Sequence, residues 1–180
     1  MANKQALRDL QTRLAERMKQ VRTEQPGVSW LAVDCAGQGL LIELSQAGEI
    51  FKLDVLQPVP YTQPWLAGVV NLRGGVYTVV DLGLFLGLRG QMAQGQAQAP
   101  VATARLLAFN SALEVNSTLL VDRLEGLRHA ADMQAVLESD DNAARPSFAA
   151  ARWQDTDGRV WQEIDLAELA KLPQFVAISA

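Results

Sequence analysis

The chain has 180 residues, a length that suits one domain or two small lobes packed together. Its 49% apolar and 20% charged residues are typical of a globular protein, and its net charge of −4 argues against nucleic-acid binding, which normally uses a basic face. The single cysteine excludes an internal disulfide, and no apolar run approaches the roughly 18 residues of a membrane span, so we expect a cytosolic protein.

Residues 1–27 are predicted to form a separate N-terminal amphipathic helix, followed by the main domain over residues 28–180. Apolar side chains recur there every three or four positions, at Leu7, Leu10, Leu14, Met18 and Val21. Residues 1–25 contain six cations and three anions, a net charge of +3. A lone helix of this length is marginal in water, so it either docks on its own domain or binds a partner.

Beyond this helix the apolar pattern has a period of two, which indicates β-strands. Alternation across Gly37-Gln38-Gly39 predicts a hairpin of Trp30–Ala36 and Leu40–Leu44. Further strands are predicted at Phe51–Leu53, Val69–Leu72, Val76–Asp81, Arg105–Asn110 and Leu113–Val121. A last hairpin has Asp157-Gly158 at its turn.

The chain also shows two similar halves, joined by a predicted loop over residues 88–104 that is rich in Gln, Ala and Gly. Each half contains a strand, an aspartate, a leucine and a short helix, at Val79–Gly87 and at Glu163–Lys171. Asp81 and Asp165 are the predicted N-caps, and Glu168 would complete a capping box with Asp165. So many short strands predict a mainly β protein, a barrel or a sandwich.

Residues with catalytic or metal-binding chemistry are few. His129 is the only histidine, and together with Cys35 it offers too few ligands for a zinc site, so we expect no metal and no cofactor. Cys35 alternates with Leu31 and Val33, which indicates a core residue, although a Cys35–His129 dyad stays open. Residues 155–158, "DTDG", indicate a turn and not a calcium loop. An enzyme that uses Cys35 or the carboxylates in a β-barrel cleft is the less favoured alternative.

The first indication of a binding function is the stretch "GVVNLRGGVYTVVDL". One arginine, Arg73, lies between its two apolar runs. Arg73 either pairs with an acidic neighbour such as Asp81, or offers a guanidinium to a partner's carboxylate. Val69 and Leu72 belong either to the core or to a sheet face that meets a partner. Trp65, between two turn segments, either caps a barrel or anchors an interface.

Three segments of the chain resemble the CheW-like domain family. They are "WLAGVVNLRGGVYTVVDLGLFLGL", "LLVDRLEGL" and "GRVWQEIDLAEL", and the resemblance extends over about Ser29 to Lys171. It implies two SH3-like five-stranded β-barrels around a shared core. It also implies a non-catalytic adaptor that binds the cytoplasmic tip of a methyl-accepting chemoreceptor and the regulatory domain of a histidine kinase.

The Asn-Leu-Arg-Gly hairpin, Asn71 to Gly74, matches the region where members of this family contact partners, so the resemblance implies that Arg73 is an interface residue. Thr78 departs from the proline that many members have at this position. The N-terminal helix and the segment "SQAGEIF" are similar to the PilI-type branch, the adaptors of type IV pilus twitching motility. A flagellar-type chemotaxis adaptor is the alternative.

Overall fold

The structure is a computed structural model, and it describes residues 27–90, 102–136 and 145–178. The predicted N-terminal helix and most of the predicted loop 88–104 lie outside the described residues. The strands are β1 Ser29–Cys35, β2 Gln38–Glu43, β3 Ala47–Lys52, β4 Leu66–Leu72, β5 Gly75–Asp81, β6 Arg105–Phe109, β7 Ser117–Val121, β8 Arg123–His129, β9 Met133–Ala135, β10 Ala149–Asp155 and β11 Val160–Ile164. The helices are α1 Leu82–Phe85, α2 Leu166–Lys171 and α3 Pro173–Val176.

These strands form two sheets, which confirms a mainly β protein. The six-stranded sheet has the order β8-β1-β2-β11-β10-β9, and the five-stranded sheet has the order β3-β6-β7-β5-β4. Each sheet contains one parallel pair, β2 with β11 and β5 with β7, among antiparallel neighbours. In both pairs one strand leads directly into a short helix, β5 into α1 and β11 into α2. The echo between the two halves is therefore a repeat of structure as well as of sequence.

The predicted hairpins β1–β2, β4–β5 and β10–β11 are confirmed. The predicted strand Leu113–Val121 was wrong over its first half, because Ser111–Leu113 forms a 3₁₀ turn and the strand begins at Ser117. The Asn110 side chain accepts a hydrogen bond from the N–H of Ala112 at 2.9 Å, and Glu114 has a left-handed φ of 54°. Such local side-chain bonds compete with strand pairing. The strand predicted at Phe51–Leu53 begins earlier, at Ala47.

Both faces of several strands are buried, because side chains of one strand alternate between two apolar clusters. The central cluster lies between the sheets and takes residues from both. Its members include Leu31, Val33, Leu40 and Ile42 of the six-stranded sheet, and Leu66, Val80, Leu107 and Leu119 of the five-stranded sheet. A second cluster, including Val70, Leu72, Val79 and Leu106, lies within the five-stranded sheet. A third, of Trp30, Ala32, Leu41, Met133 and Trp161, lies within the six-stranded sheet.

The largest side chains of the third cluster are tryptophan rings, and each indole N–H there donates a hydrogen bond to a carboxylate. Glu163 accepts hydrogen bonds from Trp30 at 2.9 Å and from Trp153 at 2.8 Å. Trp161 donates to Asp155 at 2.8 Å, and the guanidinium of Arg159 lies 4.3 Å from the centroid of its ring. Buried indole N–H groups need such partners, so these large rings pack together without leaving an N–H group unbonded.

An ionic cluster joins the two sheets at the end of α1. Arg89 donates to Asp122 at 2.7 Å, and its Nε lies 3.5 Å from Asp81, an ion pair without a well-formed hydrogen bond. Asp122 lies between β7 and β8, and its other oxygen accepts from the N–H of Ala36 at 2.7 Å. This carboxylate therefore ties the β1–β2 turn of one sheet to Arg89, which follows α1 of the other.

The two helices that follow a strand begin at aspartates. Asp81 accepts from the N–H of Leu84 at 2.9 Å, and Asp165 accepts from the N–H of Glu168 at 3.0 Å. The capping box predicted with Glu168 is wrong, because the Glu168 carboxylate pairs with Lys171 at 2.7 Å. The N–H of Asp165, which the box would use, donates to the carbonyl of Phe148 at 2.9 Å, and the Gln46 side chain accepts from the N–H of Leu166 at 2.6 Å.

Gly39 allows β2 to approach the ring of Trp161, so we expect Gly39→Ala to destabilise the fold. An added Cβ would lie 2.7 Å from Cε3 of this fully buried ring. Overpacking of this kind costs about 1–3 kcal/mol of unfolding free energy, which urea denaturation would measure. Gly90→Ala is the matched control, since a Cβ there meets nothing within 4 Å. Equal stability of both variants would contradict the expectation.

Candidate partner-binding surface

Arg73 occupies the tip of the β4–β5 hairpin, in a two-residue turn with Gly74. The two residues have φ angles of 51° and 87°, and the Asn71 side chain accepts from the N–H of Gly74 at 3.0 Å. Two positive φ angles are the requirement of a type I′ turn, which favours Asn or Gly at the first position. A left-handed conformation costs an L-residue such as arginine roughly 1–2 kcal/mol. The turn alone would therefore not select an arginine.

The Arg73 side chain reaches residues of β3, the strand at the opposite edge of the five-stranded sheet. Its Nη1 lies 2.8 Å from Glu49 Oε1, and its Cζ lies 5.9 Å from the centre of the Phe51 ring. The suggested pairing of Arg73 with Asp81 was wrong, because Asp81 lies at the other end of β5 and pairs with Arg89. The side chains of Arg73 and Glu49 are 75% and 53% exposed, so their ion pair contributes at most about 1 kcal/mol. The guanidinium stays accessible to solvent.

Beside this hairpin lies an open groove of about 290 Å³. Its lining residues come from β4, from β5 and from the segment before β4: Asp54, Val55, Gln57, Val69, Val70, Asn71 and Val76. Two backbone hydrogen bonds of 2.9 Å between Gln57 and Val69 hold that segment against β4. Val55 is 83% exposed and Val76 is 66% exposed. The groove thus combines exposed apolar walls with one carboxylate, and Arg73 lies next to it in the chain.

The structure brings four of the six predicted contact residues together. Arg73, Asn71 and Gly74 are exposed at the hairpin, and Val69 is half-buried in the groove wall. Leu72 is buried in the cluster of the five-stranded sheet. Trp65 is half-buried at the central cluster, with its ring 5.2 Å from Phe85 and 6.4 Å from Phe175.

The sequence did not predict four residues of this surface, and it did not predict that Val76 would be exposed. The four are Glu49, Asp54, Val55 and Gln57. The alternation of β5 could have found Val76, which lies opposite the exposed Asn71. No pattern points to the segment 54–57, because a single β-bridge to Val69 sets its position.

The structure leaves little chemistry for an enzyme. Cys35 is fully buried, and burial together with the charge of Asp122 raises the pKa of its thiol to about 12. Cys35 and His129 lie at opposite ends of the β1–β8 pair, since His129 is opposite Ser29, so they form no dyad. In the residues that the structure describes, no three His, Cys, Asp or Glu side chains could hold a metal ion.

Residues 155–158 form the turn of the β10–β11 hairpin. The Asp155 carboxylate accepts from the N–H groups of Asp157 and Arg159 and from the Trp161 indole. Across the described ranges, no helix is long and apolar enough to cross a membrane.

The buried thiol should be inert in the native protein. A pKa of about 12 instead of 9.0 lowers the thiolate fraction at pH 8 by about a thousandfold, and only the thiolate reacts. We expect Ellman's reagent to label Cys35 promptly in guanidinium and only at the rate of unfolding in buffer. Cys35→Ser supplies the blank. Equal labelling rates for folded and unfolded protein would show an accessible nucleophile.

The chain is similar to known proteins in sequence and in fold. The sequence model of the family described as CheW-like domain matches residues 29–174. The fold is similar to that of the scaffolding protein TtCheW from Thermoanaerobacter tengcongensis, with a TM-score of 0.59 and 19% identity over 82% of this chain and 90% of that chain. No curated protein sequence matches the chain.

Proposed function

Because the chain belongs to the CheW-like domain family, we propose that it is a non-catalytic adaptor coupling a methyl-accepting chemoreceptor to a histidine kinase. Within the candidate site, the main support for this proposal is the exposed guanidinium of Arg73 beside a groove with apolar walls. A guanidinium offers a carboxylate two parallel hydrogen bonds, which gives geometric specificity. Exposed valines add apolar area that only a second surface can bury.

Arg73 can change partners at low cost. Its pair with Glu49 is exposed at both ends, so water already competes for both side chains. A carboxylate of the kinase regulatory domain, packed into the groove at the same time, would bind Arg73 in a drier environment, where the charge pair is stronger. We assign Arg73, Asn71, Gly74 and Val69 to the contact surface. Leu72 and Trp65 support it from the core.

The adaptor transmits a signal by binding. It shifts the kinase between states only as far as its affinity for those states differs. Signalling contacts of this kind are often small, with a few dominant residues, so micromolar affinity is expected. The protein would act in the cytoplasm at membrane-bound receptor arrays.

We further assign the two sheets, which have six and five strands where five each were expected, to the two SH3-like barrels of the family. Support comes from the apolar cluster that each sheet has for itself, besides the cluster that both share. In the six-stranded sheet the 3₁₀ turn Ala130–Asp132 links the two outer strands β8 and β9 directly, as a closing sheet requires.

Within the family we assign the chain to the pilus-linked, PilI-type branch. The support is the segment "SQAGEIF" with "PVPYTQPWLAGVVNLRG" and the additional N-terminal segment. The partners would then be a pilus-associated chemoreceptor and the large hybrid chemosensory kinase.

Charge reversal at Arg73 should weaken kinase binding without unfolding the domain. We expect Arg73→Glu to lower affinity for the kinase regulatory domain at least about tenfold, since it turns a charge attraction into a repulsion. Isothermal titration measures the affinity, and circular dichroism checks the fold. Arg152→Glu is the matched control, an equal charge change at an exposed arginine of the other sheet. Equal affinity of the two variants would remove Arg73 from the kinase contact.

Deletion of the encoding gene should abolish twitching on agar and leave swimming intact. Complementation with the wild-type chain should restore twitching, and Arg73→Glu should not. Loss of swimming with normal twitching would instead assign the adaptor to the flagellar pathway.

A further inference from the structure

Two large apolar side chains are exposed on the same face at one corner of the six-stranded sheet. Leu127 is 52% exposed and Leu44 is 40% exposed. We call this set the entry corner. It lies in the six-stranded sheet, whereas the groove beside Arg73 belongs to β4 and β5 of the five-stranded sheet.

The entry corner continues the central cluster to the surface. Leu127 lies opposite Leu31 across the β1–β8 pair, and the N–H of Leu44 donates to the carbonyl of Ser29 at 3.0 Å. Directly opposite residues and alternate residues of one strand share a face of a sheet. Leu127 and Leu44 therefore point to the same side as Leu31, which is buried in the central cluster. In the part of the chain that the structure describes, these two leucines keep about half of their surface exposed.

The chain enters the domain at the same place. The carbonyl of Val28 accepts from the N–H of Ala130 at 3.0 Å, which fixes it beside the end of β8. The 26 residues that precede Gly27 lie outside the described residues. They are therefore tethered directly next to the entry corner, at an effective concentration that a short linker sets in the millimolar range.

Those residues have the composition that such a corner requires. Their apolar positions Leu7, Leu10, Leu14, Met18 and Val21 form one stripe at helical spacing. Val21 precedes Val28 by seven residues, a span of at most about 24 Å when extended, so the stripe can fold back onto the corner. The charges also match: residues 1–26 have six cations and three anions, whereas the described residues have ten cations and fourteen anions.

We propose that residues 3–24 form an amphipathic helix that docks in cis on the entry corner, with its apolar stripe over Leu44 and Leu127. Docking removes these side chains from water and supplies the helix with the tertiary contacts that a lone helix lacks. The N-terminal segment is then part of the domain and not a second arm for partners. This inference goes beyond the adaptor function and does not rest on kinase or receptor binding.

Limited trypsin digestion of the full chain tests the docking. All six cations of the segment are trypsin sites: Lys4, Arg8, Arg13, Arg17, Lys19 and Arg22. We expect cleavage before residue 27 to be slow in the wild type and about tenfold faster or more in Leu127→Glu, because cleavage follows the undocked fraction. Val160→Glu is the matched control, a valine 41% exposed near the opposite end of the same sheet, and it should keep the wild-type rate.

Urea denaturation of each variant confirms that the domain is folded, and Leu127→Ser serves as the milder change if the glutamate unfolds it. Equal cleavage of wild type and Leu127→Glu would overturn the proposal, as would rapid cleavage of the segment in the wild type. Protection that is lost on dilution of the wild type would also overturn it, because the segment would then cover a second copy and not its own domain.

Discussion

The structure depends on strands that bury both of their faces. A strand such as β1 sends Leu31 and Val33 into the central cluster and Trp30 and Ala32 into the cluster of its own sheet. The two lobes therefore share one core instead of meeting at a separable interface. Arg89 and Asp122 strengthen the same junction, because they tie α1 to the β1–β2 turn through charges that are largely removed from water.

The surface that we propose for partners lies where two strands leave the shared core. Leu72 and Val70 hold the base of the β4–β5 hairpin in the five-stranded sheet, and Arg73 lies at its exposed tip. The turn requires a left-handed conformation at position 73, and an arginine there carries a local cost that asparagine or glycine would avoid. A well-packed base and a hydrogen-bonded turn therefore fix the position of the Arg73 backbone at the surface.

The sequence predicted the parts of this fold that depend on local chemistry. Hairpins with glycine turns, N-caps at Asp81 and Asp165, and the buried character of Cys35 all follow from neighbours in the chain. Period-two alternation could not say which cluster each face would enter, since both faces are apolar. Arg73 was recognised from its unusual place in a hairpin, but its partner Glu49 and the groove wall around Val55 depend on pairings between distant segments. The first half of the predicted strand Leu113–Val121 was wrong, because the turn that Asn110 caps outweighed the apolar alternation after it.

The parallel pair of β2 with β11 has a consequence for how the chain reaches this fold. Leu40 pairs with Gln162 and Ile42 with Ile164, so the middle of the six-stranded sheet joins residues that are 122 positions apart in the chain. The five-stranded sheet uses only segments from Ala47 to Val121 and can assemble during synthesis. Its partner sheet must wait for β11 to leave the ribosome, with the β1–β2 hairpin exposed until then. Such non-local pairing slows folding and leaves an unpaired strand edge open to aggregation until β11 is in place.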